Sequence, residues 1–301
     1  MKKNITQQVK RVSNKLKWTW IWTSDTLSIS KKDFSWKVRQ RMKKYRNPLF
    51  IELQDKFKVK EYARERGVKT PETFFVTDQP ETIPFETLPD HCFIKANHGC
   101  GWNILFKDRE LFLFENGADL IGGGHFSKHR LTRQECIRYC DLWLKSVYSK
   151  SQWVYQQITP KIFAEEILVP MDGEALVDYR CFTFQGKVKA VQVTSPIYHE
   201  HHQNMFVDPC WQEIKLKVYR EKKPDPPPCR PESFGEIISS AERLGAGLDF
   251  ARIDIYNTTR GIMLGEMTIY PEGGDTEVPT GDAEFNQWLG DQWVLPASIR
   301  S

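Results

Sequence analysis

Two carboxylates and an arginine late in the chain are spaced for metal and phosphate chemistry. Arg252, Asp254 and Tyr256 alternate with Ile253 and Ile255. After a polar stretch from Asn257 to Gly261, Glu266 and Thr268 share one face of a second run, flanked by Leu264 and Met267. Alternation on both sides of a polar turn that ends in glycine predicts a β-hairpin. Such a hairpin lifts an arginine and two carboxylates out of an apolar layer onto one surface. Carboxylates on adjacent rigid strands suit Mg2+, which takes hard oxygen ligands and shares them with substrate phosphates. Arg252 beside them would meet the same phosphates or a developing oxyanion. For an isolated Arg-x-Asp, a surface hairpin whose charges pair with each other is the plainer reading. Glu266 on the partner strand and the glycine loop Tyr270-Pro271-Glu272-Gly273-Gly274-Asp275 favour the metal.

A second constellation lies earlier, in Cys92-Phe93-Ile94-Lys95-Ala96-Asn97-His98-Gly99-Cys100-Gly101-Trp102-Asn103-Ile104-Leu105-Phe106. A short apolar strand ends in Lys95, a Gly-x-Gly loop follows, then another strand. Glycines let backbone N–H groups curl around phosphate oxygens, and the lysine adds a point charge. No Gly-Lys-Ser/Thr follows, as a Walker A loop requires, and no helix follows, as a Rossmann fingerprint requires. A tight hairpin is the alternative for Gly-x-Gly alone.

The elements that must hold these groups can be read around them. Gln54 to Gly67 predicts one amphipathic helix with Phe57, Tyr62 and Ala63 inward and Gly67 at its C-terminal end. Thr73 to Val76 predicts a strand, 78–90 a linker, and 107–128, with Gly122-Gly123-Gly124, a flexible connection. Thr132 with Glu135 forms a capping box for a helix to about Tyr148, using Cys136, Ile137, Cys140, Leu144 and Val147 as its apolar side. Cys136 and Cys140 then read as core thiols rather than metal ligands. Ile158 to Leu168 predicts a strand ending in the pair Glu165-Glu166, and Asp178 to Val193 a hairpin around Gln185-Gly186-Lys187. His199, His201 and His202 read as loop residues, because adjacent imidazoles seldom converge on zinc. Residues 222–231 are proline-dense and extended, Pro231 to Leu244 is an amphipathic helix, and 276–301 a short closing tail.

With 301 residues, 40% hydrophobic and 13% aromatic, the chain can bury the cores of two or three lobes. No apolar run is long enough to span a bilayer, and the N-terminus lacks a signal-peptide core. Seven scattered cysteines without Cys-x-x-Cys suggest a reduced, cytoplasmic protein. Residues 1–47 carry 14 Lys and Arg against two acidic residues, whereas the remainder has 29 basic against 37 acidic. The basic character therefore belongs to an N-terminal arm, which interleaves Trp18, Trp20, Trp22 and Trp36. That arm suits peripheral contact with an anionic membrane, at the inner face. It suits equally a basic helix packing its tryptophans on the body. Nucleic acid ranks below both.

Taken in order, these residues resemble a known family. Arg-x-Asp-x-Tyr, a short turn, then Gly-Glu-x-Thr-x-Tyr-Pro with Gly-Gly is similar to the C-terminal signature of ATP-grasp enzymes. Lys-x-Asn-His-Gly-x-Gly-Trp-Asn and Asp-Tyr-Arg-x-x-x-Phe-x-Gly resemble the TupA-like, teichuronopeptide-biosynthesis branch. The resemblance covers about 48–290 and implies an α+β ATP-grasp fold, with two lobes of antiparallel sheet enclosing a nucleotide cleft. It implies a basic arm (1–47), a shortened N-terminal segment (48–90), a small lobe with the glycine loop (91–168), and a C-terminal lobe with the metal site (169–301). It assigns Lys56, Lys95, Gly99 and Gly101 to nucleotide phosphates. Lys161, Glu165, Glu166 and Leu168 fall to the adenine hinge, Asp178 to a ribose hydroxyl and Arg180 to a phosphate. Asp254, Glu266 and Thr268 are the implied Mg2+ ligands, and Arg252 and Lys95 the implied catalytic pair. One departure is Thr268, where many ATP-grasp enzymes carry asparagine; a hydroxyl is the poorer metal ligand. The implied cofactors are ATP and Mg2+. The implied activity is carboxylate–amine ligation on small-molecule or glycan substrates, in a cell-surface polysaccharide context. Phosphotransfer to a sugar and a non-catalytic nucleotide-binding module are the alternatives.

Overall fold

The computed structural model describes residues 33–116, 124–171, 176–195, 203–218, 223–275 and 281–297. Two antiparallel sheets organise them. The first has six strands: β1 (Thr73–Thr77), β2 (His91–Ala96), β3 (Asn103–Lys107), β4 (Glu110–Asn116), β5 (Gly124–Leu131) and β6 (Ile162–Glu166), in the order β1-β6-β2-β3-β4-β5. Alternation decides its faces. Cys92, Ile94, Ala96, Ile104 and Phe106 turn inward onto the helix Arg133–Leu144, meeting Cys136, Cys140 and Trp143 in one buried cluster. Phe93, Lys95 and Glu165 are left on the other face.

The second sheet has five strands: β7 (Asp178–Phe184), β8 (Lys187–Ser195), β9 (Gln203–Val207), β10 (Phe250–Thr258) and β11 (Gly261–Thr268), in the order β11-β10-β7-β8-β9. It anchors the larger core. The helix Phe234–Gly245 covers one face, with Phe234, Ile237, Ala241 and Leu244 buried and Gly245 seated against Thr183. Phe182 and Phe184 therefore point to the opposite face, where the rings of Phe34, Phe250 and Trp293 meet them.

We number the helices α1 (Phe34–Lys44), α2 (Leu49–Gln54), α3 (Val59–Glu65), α4 (Arg133–Leu144), α5 (Phe234–Gly245) and α6 (Ala283–Gln292). The structure differs from the sequence reading in several of them. Within the expected arm, α1 is part of the main core, with Phe34, Val38 and Met42 buried and Arg41 fully enclosed. Trp36 packs on that core, whereas Trp18, Trp20 and Trp22 lie outside the described residues. The single helix expected over 54–67 is two, because the Asp55 carboxylate accepts the N–H groups of Phe57 and Lys58 (2.9 and 3.1 Å), a turn that ends α2 and starts α3. The linker expected over 78–90 buries Ile83, Phe85 and Leu88 against the first sheet. The expected flexible connection over 107–128 contains β4 and most of β5. The capping box of α4 is present, but the helix stops at Leu144 and Val147 is exposed. The expected tail contains α6, whose Phe285 and Leu289, with Trp293 just beyond, belong to the large core. The three histidines at 199, 201 and 202 lie outside the described residues. Among the described residues, no helix is long and apolar enough to cross a membrane.

Candidate active site

The hairpin β10–β11 sets the geometry. Arg252 pairs with Thr268 and Asp254 with Glu266, and a bulge between Asp254 and Ile255 makes Gly265 the extra residue. A Cβ at Gly265 would stand 2.4 Å from the Tyr256 ring, so glycine is required for the bulge that brings Glu266 opposite Asp254. Arg252 is the hub. It donates to both oxygens of Asp254 (2.8 and 2.7 Å), to Glu266 Oε1 (3.2 Å) and to Thr268 Oγ1 (3.1 Å). Glu272 Oε1 lies 3.9 Å from its Nη1.

β7 runs beside β10 and continues the same polar floor. Arg180 sits opposite Asp254, and its Nε donates to Asp178 Oδ2 at 2.7 Å. Asp178 Oδ1 is buried and has no hydrogen-bond partner among the described residues. Burial, then the fields of Asp178 and Glu266, push the Asp254 carboxyl up to about 7 against the pull of Arg252.

Lys56, in the turn between α2 and α3, closes the site. Its backbone N–H donates to Asn97 O (3.0 Å) just after β2, and its ammonium forms an ion pair with Glu266. Burial alone would raise the Glu266 carboxyl, but Lys56 and Arg252 hold it down to about 2. The loop that follows Lys95 is pinned beside this bridge. Asn97 Nδ2 donates to Asp55 Oδ2 (2.9 Å) and Thr159 O (3.1 Å), and Asn97 Oδ1 accepts from the Lys161 N–H (2.8 Å). The ring of buried His98 bonds Trp143 O at 3.0 Å. The two loop glycines serve different ends. A Cβ at Gly99 would collide with the Trp102 ring at 2.3 Å, while Gly101 adopts φ 71°, open to glycine at no cost.

Lys95 itself faces Glu165, whose second oxygen is held by Lys60 at 2.8 Å. Burial raises the Glu165 carboxyl, yet the two lysines outweigh it and hold it at about 2.

The family model for TupA-like ATPgrasp matches residues 35–294. The chain belongs to the TupA-like ATP-grasp family. The two antiparallel sheets are the lobes of that fold. Among solved structures, D-alanine–D-alanine ligase from Helicobacter pylori is similar at 13% identity and TM-score 0.45, covering 88% of this chain and 70% of that one. The ATP-grasp ligase PsnB, complexed with a phosphomimetic variant of its minimal precursor, Mg and ADP, is similar at 12% identity and TM-score 0.38, covering 79% and 57%. An L-amino acid ligase from Bacillus licheniformis is similar at 12% identity and TM-score 0.42, covering 74% and 44%. This chain thus spans under two thirds of the length of PsnB. No curated protein matches it.

In this ATP-grasp chain the predicted residues fall into two groups. Lys56, Arg180, Arg252, Asp254, Glu266 and Thr268, with Asp178 beside them, form one cluster, and Lys95 and Glu165 pair on the first sheet. Three candidates stand apart by their side chains. Lys161 is bound to Asp78, and only its backbone joins the loop. Glu166 is paired with Arg260 and accepts the N–H of Glu72 (3.1 Å), tying β6 to the β10–β11 turn. Leu168 follows β6, half-buried. The sequence reading missed Lys60 and the Asp55–Asn97 bond. The signal for Lys60 was its place four residues after Lys56, one helical turn on, hidden among other lysines. Among the described residues, no group of three or more His, Cys, Asp or Glu side chains converges as a metal site. Two carboxylates in direct register, with a hydroxyl beside them, nevertheless fit Mg2+, which takes few protein ligands and completes its shell with water and phosphate.

Proposed function

We propose that this chain is an ATP- and Mg2+-dependent carboxylate–amine ligase working through an acyl phosphate. The observation that carries the reading is the Lys56 bridge, in which one lysine touches the loop after β2 with its backbone and Glu266 of β11 with its ammonium. Groups suited to phosphate and groups suited to metal thereby share one space.

Mg2+ would be held by Asp254 and Glu266, with Thr268 as the weaker oxygen ligand, and would neutralise charge across the nucleotide phosphates. Lys56, Lys95 and Arg180 orient those phosphates. Glu165, Glu166 and Leu168 border the adenine edge, and the unpartnered Asp178 Oδ1 is free to accept from a ribose hydroxyl. A carboxylate oxygen of the acceptor attacks the γ-phosphorus; the bond to the bridging oxygen breaks and ADP leaves. The amine nitrogen then attacks the acyl carbon, the carbon–oxygen bond to phosphate breaks, phosphate leaves, and a nitrogen-bound proton passes to solvent. Arg252 neutralises the oxyanion that forms at that carbon. The loop at Gly99–Gly101 would close over the nucleotide and exclude water.

For the acceptor we favour a sugar acid of a cell-surface glycan, with an amino acid as the amine. The test is incubation of the chain with ATP, Mg2+ and pooled uronic acids and amino acids, reading phosphate release and product mass. Amide together with free phosphate is expected. Glu266→Ala should cut turnover at least about 100-fold while the fold persists. A phosphorylated sugar without amide replaces ligation by phosphotransfer, and turnover unchanged in Glu266→Ala overturns the site.

A further inference from the structure

The Glu165 carboxylate carries a lysine on each oxygen, Lys95 on Oε1 and Lys60 on Oε2. Lys60 belongs to α3 and is 8% exposed. Its ammonium also donates to Pro71 O (3.0 Å) and Thr73 Oγ1 (2.7 Å), and it lies 5.3 Å from the centre of the Phe163 ring. An ammonium has three N–H donors, and these three acceptors use all of them. Lys60 is therefore fixed in place by the approach to β1, by β1 itself and by β6.

We infer that Lys60 is a positioning residue for nucleotide binding: it neutralises Glu165 so that Lys95 can turn to a phosphate without stranding a buried carboxylate. The inference rests on the reading that Lys95 meets a nucleotide phosphate. A buried carboxylate stripped of its one cation is costly, and that cost would be charged to ligand binding whenever Lys95 left. With Lys60 present, one oxygen of Glu165 stays paired throughout, and the other is released to accept a donor from the bound base. Lys60 cannot make the same movement, because its donors are committed elsewhere. The two lysines thus divide one carboxylate between a fixed partner and an exchangeable one.

The experiment measures ATP affinity by calorimetric titration with Mg2+ on the full chain. It uses the native protein, Lys60→Met, Glu165→Gln and the double variant. Lys60→Met should weaken ATP binding about tenfold in the native background. In the Glu165→Gln background it should change affinity less than about twofold, since no charge remains to neutralise. A purely structural lysine would weaken binding equally in both backgrounds, and that result overturns the inference, as does native affinity in Lys60→Met. Should Lys60→Met not fold, Glu165→Gln and the double variant decide alone: equal affinities support the inference, and a further loss in the double variant overturns it. A native chain that binds no ATP overturns the parent reading and this inference together. A native chain that binds ATP while Lys60→Met loses nothing overturns this inference alone.

Discussion

At the scale of residues, the Lys60–Glu165–Lys95 row makes a stability prediction with a definite sign. The folded-state carboxyl of Glu165 is held at about 2, below its ordinary 4.5, because the two ammoniums outweigh burial. A carboxyl depressed on folding adds stability above its unfolded value and loses that contribution as pH falls towards its folded value. The window is therefore pH 4.5 down to about 2. At 1.36 kcal/mol per unit, this one group is worth about 3 kcal/mol at neutral pH. Its side chain is only 10% exposed, so solvent screening reduces the figure little. Denaturant unfolding at pH 7, 4 and 2.5 should show Glu165→Gln losing less stability than the native chain on acidification. Parallel acid profiles for the two proteins would sink the assignment. The connected polar groups at Asp254 and Glu266 do not lend themselves to the same test, because bound cation and bound proton would compete there.

At the scale of elements, α1 is where charge misled the sequence reading and packing decided the outcome. Its sequence FSWKVRQRMKK looks like a continuation of the basic arm. Arg41, however, is fully enclosed, donating to Phe250 O (2.9 Å), Ile269 O (3.2 Å) and Asp249 Oδ1 (2.8 Å), with its guanidinium 4.2 Å from the centre of the Phe50 ring. These acceptors lie where β10 begins and just past the end of β11, so α1 braces both strands of the β10–β11 hairpin from behind. Arg41→Met should cost about 3 to 5 kcal/mol, since it leaves the Asp249 carboxylate without its cation, with only the Trp293 Nε1–H as partner, and takes a donor from two carbonyls. Urea unfolding measures this, and a loss under about 1 kcal/mol would show that α1 is not a brace. The same contrast explains what was legible. Polar residues alternate with apolar ones in β7, β8, β10 and β11, so these strands could be read directly, as could the Thr132–Glu135 cap of α4. Motif order carried the family, because the lysine, the lysine-glycine loop at Lys95, the acidic pair at Glu165, Asp254 and Glu266 follow one another along the chain in the family's sequence. Long-range partners leave no local trace: nothing near Arg41 indicates Asp249, and nothing near Asp55 indicates Asn97. Ile83, Phe85 and Leu88 were hidden among prolines and acidic residues, and α6 among the residues of an expected tail.

At the scale of the molecule, both lysines that the proposed function assigns to phosphates are paired with carboxylates, Lys56 with Glu266 and Lys95 with Glu165. Lys56 joins the loop after β2 to β11, whereas the Lys95 pair lies within the first sheet. On the proposed function, ATP with its cation would replace those pairings. This separates two quantities in Lys56→Met. The Lys56–Glu266 side chains are 23% and 30% exposed, so the pair contributes at most about 1 kcal/mol to the unliganded fold. Ligand binding adds far more: at a concentration 100 times its dissociation constant, ATP stabilises the native chain by about 2.7 kcal/mol. If Lys56 supplies a phosphate contact worth tenfold in affinity, the variant gains only about 1.4 kcal/mol at the same ATP concentration. Melting curves with and without ATP and Mg2+ should therefore give nearly equal midpoints for the two unliganded proteins and a smaller upward shift in Lys56→Met. Equal shifts would mean that Lys56 only ties the lobes together and that the phosphates lie elsewhere. A large fall in the unliganded midpoint would mean that the bridge is structural and that its partly exposed pair is worth more than its surroundings allow.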